Sequence, residues 1–146
     1  MGRPSAFQCS GNEIAGWEGA CALLAFIELY PDIDYQTQRF AFGHTMFDMN
    51  PYGKFVYSGW AVGIVDMIRA YDALFPVIQN NRDLAQLLGR RIAWVRTPQD
   101  VVKFADTNLL QHVRDCVSRL VIRAGDGDSE KVLGLAALVQ GPGKAA

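Results

Sequence analysis

A histidine close in sequence to tyrosines and a carboxylate is a simple arrangement for moving a proton, and this chain has one such stretch. His44 stands in Gly43-His-Thr-Met-Phe-Asp48, and Tyr52 and Tyr57 follow it. These are the candidate acid and base groups: imidazole titrates near neutrality, and a hydroxyl or carboxylate nearby can relay or orient the proton. The competing reading is a histidine hydrogen-bonded to backbone in a packed loop. Tyr52, Tyr57 and Trp60 add aromatic faces to the same stretch. A second constellation is Asn108 and His112, four residues apart. On a helix they are neighbours on one face, beside an apolar stripe, and either line a substrate groove or form a satisfied internal hydrogen bond.

Other patterns carry less. Asp126-Gly-Asp128-Ser-Glu130 opens like a calcium loop, but the glycine and glutamate that such a loop needs further on are replaced by Lys131 and Ala137. Acids near a helix start explain it more simply. The two histidines are far apart and neither has a second one at metal-ligand spacing, so no metal site is expected. No HExxH, phosphate-binding loop, GxGxxG or GxSxG occurs, and no cofactor is expected. Cys9, Cys21 and Cys116 are odd in number and widely spaced. They form no disulfide framework, and Cys21 and Cys116 read as small core residues.

Helices must position these groups. Ser10-Gly-Asn-Glu13 has capping-box form, and Ile14, Trp17, Cys21, Leu24 and Ala25 recur behind it at helical spacing, with Glu13, Glu18 and Glu28 on one arc. Pro31 ends this helix near Tyr30. Gly16 and Gly19 are costly inside a helix unless a neighbour packs closely there. Residues 31 to 57 mix aromatics with loop formers, and Asn50-Pro-Tyr-Gly53 reads as a turn. Ser58 caps a second helix with the stripe Trp60, Ile64, Met67, Ile68, Tyr71, Leu74 and Phe75, opposite Asp66, Arg69 and Asp72. A third helix starts at Asn80-Asn-Arg-Asp83 and carries Leu84, Leu87, Leu88, Ile92 and Val95, with Arg82, Arg90, Arg91 and Arg96 solvated. Thr97-Pro-Gln-Asp100 starts a fourth: a cap, a proline at the first turn and an acid at the dipole's positive end. Its stripe is Val101, Ala105, Leu109, His112, Val113, Cys116, Val117, Leu120 and Val121, and Gly125 closes it. A last helix, Lys131 to Gln140, is rich in Leu, Ala and Val and apolar almost all round. No segment alternates at period two. The expectation is an all-α chain of about five to six helices packed in pairs, either a single helical domain over residues 1–146 or part of a larger α/α-toroid.

Bulk properties narrow the partners. The 146 residues carry 14 Lys and Arg against 15 Asp and Glu, a formal charge of -1. This leaves no basic excess for phosphates, so nucleic acid is not an expected partner. No apolar run approaches the roughly 20 residues that span a bilayer, the longest being Ala20 to Ile27. No membrane partner is expected. The first residues show no signal-peptide pattern, which points to the cytoplasm only for a chain that truly starts here. Localisation stays unassigned.

Two stretches resemble a known family. Ile14-Ala-Gly-Trp-Glu-Gly-Ala-Cys-Ala-Leu-Leu-Ala-Phe-Ile-Glu-Leu-Tyr30, with Tyr57-Ser-Gly-Trp60 and Ile68-Arg-Ala-Tyr-Asp-Ala-Leu74, is similar to the helical half of heparinase II/III-like polysaccharide lyases. Gly125-Asp-Gly-Asp-Ser-Glu-Lys-Val-Leu-Gly-Leu-Ala-Ala-Leu138 resembles a later toroid position, a polar turn before an Ala/Leu-rich helix. The likeness covers residues 12 to 140 and rests on helix patterns. It implies an α/α-toroid followed by a β-sandwich, and β-elimination of uronate-containing polysaccharides with Tyr or His as base and acid. The family's catalytic Asn, His and Tyr match no position here one by one. The chain is too short for toroid and sandwich together, so the resemblance implies a fragment or reduced relative. Three readings stand: a lyase relative holding an acidic oligosaccharide between Gly43 and Trp60, with Asn108 and His112 lining the groove; a non-catalytic helical interaction module; or a stable helical domain with an unrelated activity. Five helices would not close a toroid, so self-association through open apolar faces is expected.

Overall fold

A computed structural model describes residues 11–32, 62–118 and 128–140. The chain is all-α with its helices packed in pairs, and there is no strand among the described residues.

Helix α1, Glu13–Leu29, is capped by Asn12, whose side chain accepts from the Ala15 amide at 3.1 Å. The expected Ser10 capping box is corrected: Glu13 is the first helical residue, so it cannot stand at the third helical position. Gly11 precedes the cap at φ +64°, a left-handed conformation that favours glycine. A short 3-10 turn, Tyr30–Asp32, follows at Pro31. The expected apolar face of α1 is also corrected. Gly16, Gly19, Ala20, Leu23, Leu24, Ile27 and Tyr30 are buried, whereas Ile14 is 71% exposed and Trp17 40% exposed. Residues 20–27 are apolar all round, so periodicity does not fix their phase. The small residues do, because α1 packs most extensively on α2.

Helix α2, Val62–Ile78, buries Ile64, Val65, Ile68, Tyr71, Leu74 and Ile78, with Met67 and Phe75 half-buried. Six of these are the expected stripe, Val65 and Ile78 extend it, and Trp60 and the Ser58 cap lie outside the described residues. Asp66 and Arg69 pair on the outer side at 3.6 Å. Pro76 sits exposed in the last turn and supplies no amide donor to the carbonyl four residues before it. Helix α3, Arg82–Gly89, is capped by Asn81, which accepts from the Asp83 and Leu84 amides.

The sequence pattern carries α3 to Val95; the structure stops it at Gly89. The chain then turns, with the Val95 amide bonded to the Ile92 carbonyl. A Cβ on Gly89 would lie 2.5 Å from the Val95 carbonyl oxygen, so the return of the backbone over Gly89 needs a residue without a side chain. Ile92 and Val95 still pack inward, at helical spacing from Leu88 but from a turn.

Helix α4, Pro98–Ala105, begins with the expected Thr97 cap and Pro98 in its first turn, and Asp100 makes that cap reciprocal. Thr97 Oγ1 accepts from the Asp100 amide, and Asp100 Oδ2 accepts from the Thr97 amide. It runs directly into a π-helical segment, Asp106–Gln111, and then α5, His112–Ser118. The wider π turn accommodates an extra residue, and within it Leu109 and Leu110 are fully buried. Helix α6, Asp128–Gln140, packs on α2 and α5. Val132 and Ala136 are buried, while Gly134, Ala137 and Leu138 face outward, Leu138 being 79% exposed. Burial of α6 on both sides, expected from its composition, is therefore not seen among the described residues.

Candidate functional site

Two polar groups sit inside this framework, both on the helix that carries the π segment. At its start, Tyr71 from α2 donates its hydroxyl to Asp106 Oδ1 at 2.9 Å. At its end, the Tyr30 ring meets His112 edge to face, with centroids 5.5 Å apart, and stacks on Phe26. One turn on, Cys116 Sγ lies 3.4 Å from His112 Nε2. Tyr71 and Tyr30 are fully buried, and burial pushes both hydroxyls above the usual tyrosine range; the Asp106 carboxylate adds to this for Tyr71, and Cys116 for Tyr30. They are hydrogen-bonding groups, not bases. The Tyr30 hydroxyl has no hydrogen-bond partner among the described residues. Burial likewise raises the Cys21 thiol. No set of three or more His, Cys, Asp or Glu could hold a metal ion among the described residues.

The sequence-derived candidates are distributed as follows. His44, Tyr52, Tyr57 and Trp60 lie outside the described residues. Asn108 and His112 are both half-buried. Asn108 lies within the wide turn and His112 directly after it, and His112 is engaged with Cys116 and Tyr30. Its ring is shielded, as the apolar residues Leu109, Val113 and Cys116 around it led one to expect.

The outer surface offers three adjoining grooves. The first, about 580 Å³, has Trp17, Pro76 and Val77 as its apolar side, with Glu13, Asp83, Asn80, Asn81 and Arg82 around them. The second, about 510 Å³, shares Asn80 and Arg82 with the first and adds Gln79, Gln86, Arg96, Thr97, Pro98 and Gln99. The third, about 490 Å³, shares Gln86 and Arg96 with the second and adds Arg90. One surface thus runs from a tryptophan to three arginines.

No protein-family model, curated protein or solved structure matches the chain. The site's meaning therefore rests on its own chemistry.

Secondary structure explains how the surface is built. The Asn81 cap and the Thr97–Asp100 cap end the connections on either side of α3, bringing Arg82 and Arg96 to one groove. Arg82, Gln86 and Arg90, spaced by four, run along one side of α3 and its end. The cap also holds the Asp100 carboxyl below its usual range, chiefly through the Arg96 amide and then through the Thr97 hydroxyl and amide. Sequence reading took Trp17 for core and the arginines for scattered solvated positions. The i, i+4, i+8 spacing of Arg82, Gln86 and Arg90 was the available signal that they share a side.

Proposed function

We propose that this chain is a helical interaction module that takes a protein partner on the surface between Trp17 and Arg90. The observation that carries this reading is the continuity of the three grooves, with a half-exposed tryptophan at one end and arginines along the rest. Tryptophan and arginine are the side chains most enriched at binding hot spots. Tyr71 is turned to Asp106 inside the fold, and His112 to Tyr30 and Cys116.

The alternative, a reduced polysaccharide lyase on an α/α-toroid fragment, would draw its base and stacking rings from His44, Tyr52, Tyr57 and Trp60. Asn108 and His112 would then line its groove for an acidic oligosaccharide. A photo-reactive benzophenone side chain placed at position 17 separates the readings. The module reading expects cross-links to cellular proteins from position 17 and not from position 103 on exposed α4 surface. Equal capture at both positions, or release of unsaturated uronate product from an acidic polysaccharide by the purified chain, would overturn it.

A further inference from the structure

The grooves differ in charge along their length, and that difference selects a partner. Between residues 82 and 96 the chain has four arginines and one acid, although its formal net charge is -1. Arg91 is neutralised by Glu28 at 3.0 Å, and Arg69, elsewhere, by Asp66. Among the described residues no carboxylate lies within ion-pair distance of Arg82, Arg90 or Arg96. These are the three arginines that line the second and third grooves, and no acid joins them there. The amides of the adjoining helix starts do not supply the attraction. Those of Arg96, Thr97 and Asp100 are bonded within the cap, and those of Asp83 and Leu84 to Asn81. The guanidinium groups are what an anion would meet.

We infer that this surface binds an acidic peptide segment in which one apolar residue precedes a run of carboxylates. The inference rests on the interaction-module reading and names its partner. The apolar residue sits against Trp17, Pro76 and Val77, where Glu13 and Asp83 make the surroundings unfavourable to a negative charge. The carboxylates follow over Arg82, Arg96 and Arg90, each able to form a two-point bond with a guanidinium. Arg82 and Arg90 are eight residues apart, about 12 Å of helix rise, which an extended peptide covers in about four residues. Gln79, Asn80, Gln86 and Gln99 line the same path and can pair with the peptide backbone. A polymer with a charge at every repeat, such as a sulfated polysaccharide or a nucleic acid, would bring anions onto Glu13 and Asp83. No aromatic ring lines the arginine part for sugars or bases to stack on, among the described residues.

The test is fluorescence anisotropy of the full chain with a labelled peptide of one phenylalanine followed by glutamates, at roughly 0.15 M salt so that long-range attraction is screened. Saturable binding is expected. Arg82→Gln and Arg96→Gln should each weaken it about three- to five-fold, the size of one partly exposed charge pair. The triple change with Arg90→Gln and the single change Trp17→Ala should weaken it more, and Arg69→Gln should leave it unchanged. All these positions are exposed, and circular dichroism verifies the fold of each variant. Absence of peptide binding overturns the inference, as does binding indifferent to the triple change. So does a heparin-type oligosaccharide or single-stranded DNA that binds tighter and depends on the same arginines. A module that takes an uncharged partner would fail here yet still cross-link through position 17, so the two readings fail separately.

Discussion

Tyr71 and Tyr30 are the same residue type in the same core with opposite polar fates, and they show what a buried hydroxyl contributes. Tyr71→Phe removes the donor to Asp106 Oδ1, leaving a carboxylate in a partly buried site with one bond fewer. The expected cost is about 1–3 kcal/mol, as for hydrogen bonds to charged groups. Tyr30→Phe removes a hydroxyl that has no partner among the described residues, and stability should be unchanged or higher. Urea unfolding of the two variants gives the comparison directly; a larger loss for Tyr30→Phe would contradict it. Asp100 makes a pH prediction. Its folded value is depressed, so its contribution is fully present above the unfolded carboxylate value near 4 and is lost as pH falls through the folded value. Asp100→Asn should flatten the acid side of the stability profile below about pH 4 while leaving its shape near neutrality. Among site residues, the shielding of His112 was legible from Leu109, Val113 and Cys116. The roles of Tyr30, Tyr71 and Asp106 were not, because a tyrosine within an apolar stripe carries no mark of what its hydroxyl meets.

Gly89 decides where α3 ends, and its substitution tests that directly. The Val95 carbonyl occupies the space of any Cβ there. Gly89→Ala should therefore destabilise by roughly 1–3 kcal/mol, in the range of overpacking and against the gain that alanine brings to an open helix position. Gly134→Ala, compared at concentrations low enough to keep the chain monomeric, is the control: nothing lies within 4 Å of its Cβ position, so it should be neutral or stabilising. Thermal unfolding separates the two, and equal effects would refute the close approach at Gly89. The elements differ in how plainly they could be read. The start of α4 was legible in full because Thr97, Pro98 and Asp100 act locally. The end of α3 was not, because Ile92 and Val95 keep helical spacing through a turn. The face of α1 was misread because an apolar run has no preferred side until Gly16 and Gly19 are weighted for close packing. The π segment left no pattern, since Leu109 and Leu110 read as two neighbours on the buried side of an ordinary helix.

For the whole molecule, the all-α class and the pairing of helices were legible because most segments announce their starts or stops. Neither a toroid nor its closure follows from such local signals. The described helices join one core, yet α6 leaves Gly134, Ala137 and Leu138 outward, a flat strip against which an identical strip could pack about a two-fold axis. Self-association at micromolar concentration is the expected outcome by light scattering, with Leu138→Glu shifting the chain to monomer; a monomeric starting protein would contradict it. The central claim, that function resides on the surface from Trp17 to Arg90, has a more direct test. At 16.1 kDa the chain suits nuclear magnetic resonance. Titrating the isotope-labelled protein with the phenylalanine–glutamate peptide and following amide and indole shifts reports the contact surface residue by residue. The account predicts changes at Trp17, Arg82, Gln86 and Arg96, with Asn108 and His112 unmoved; changes centred on Asn108 and His112, or none at all, would contradict it.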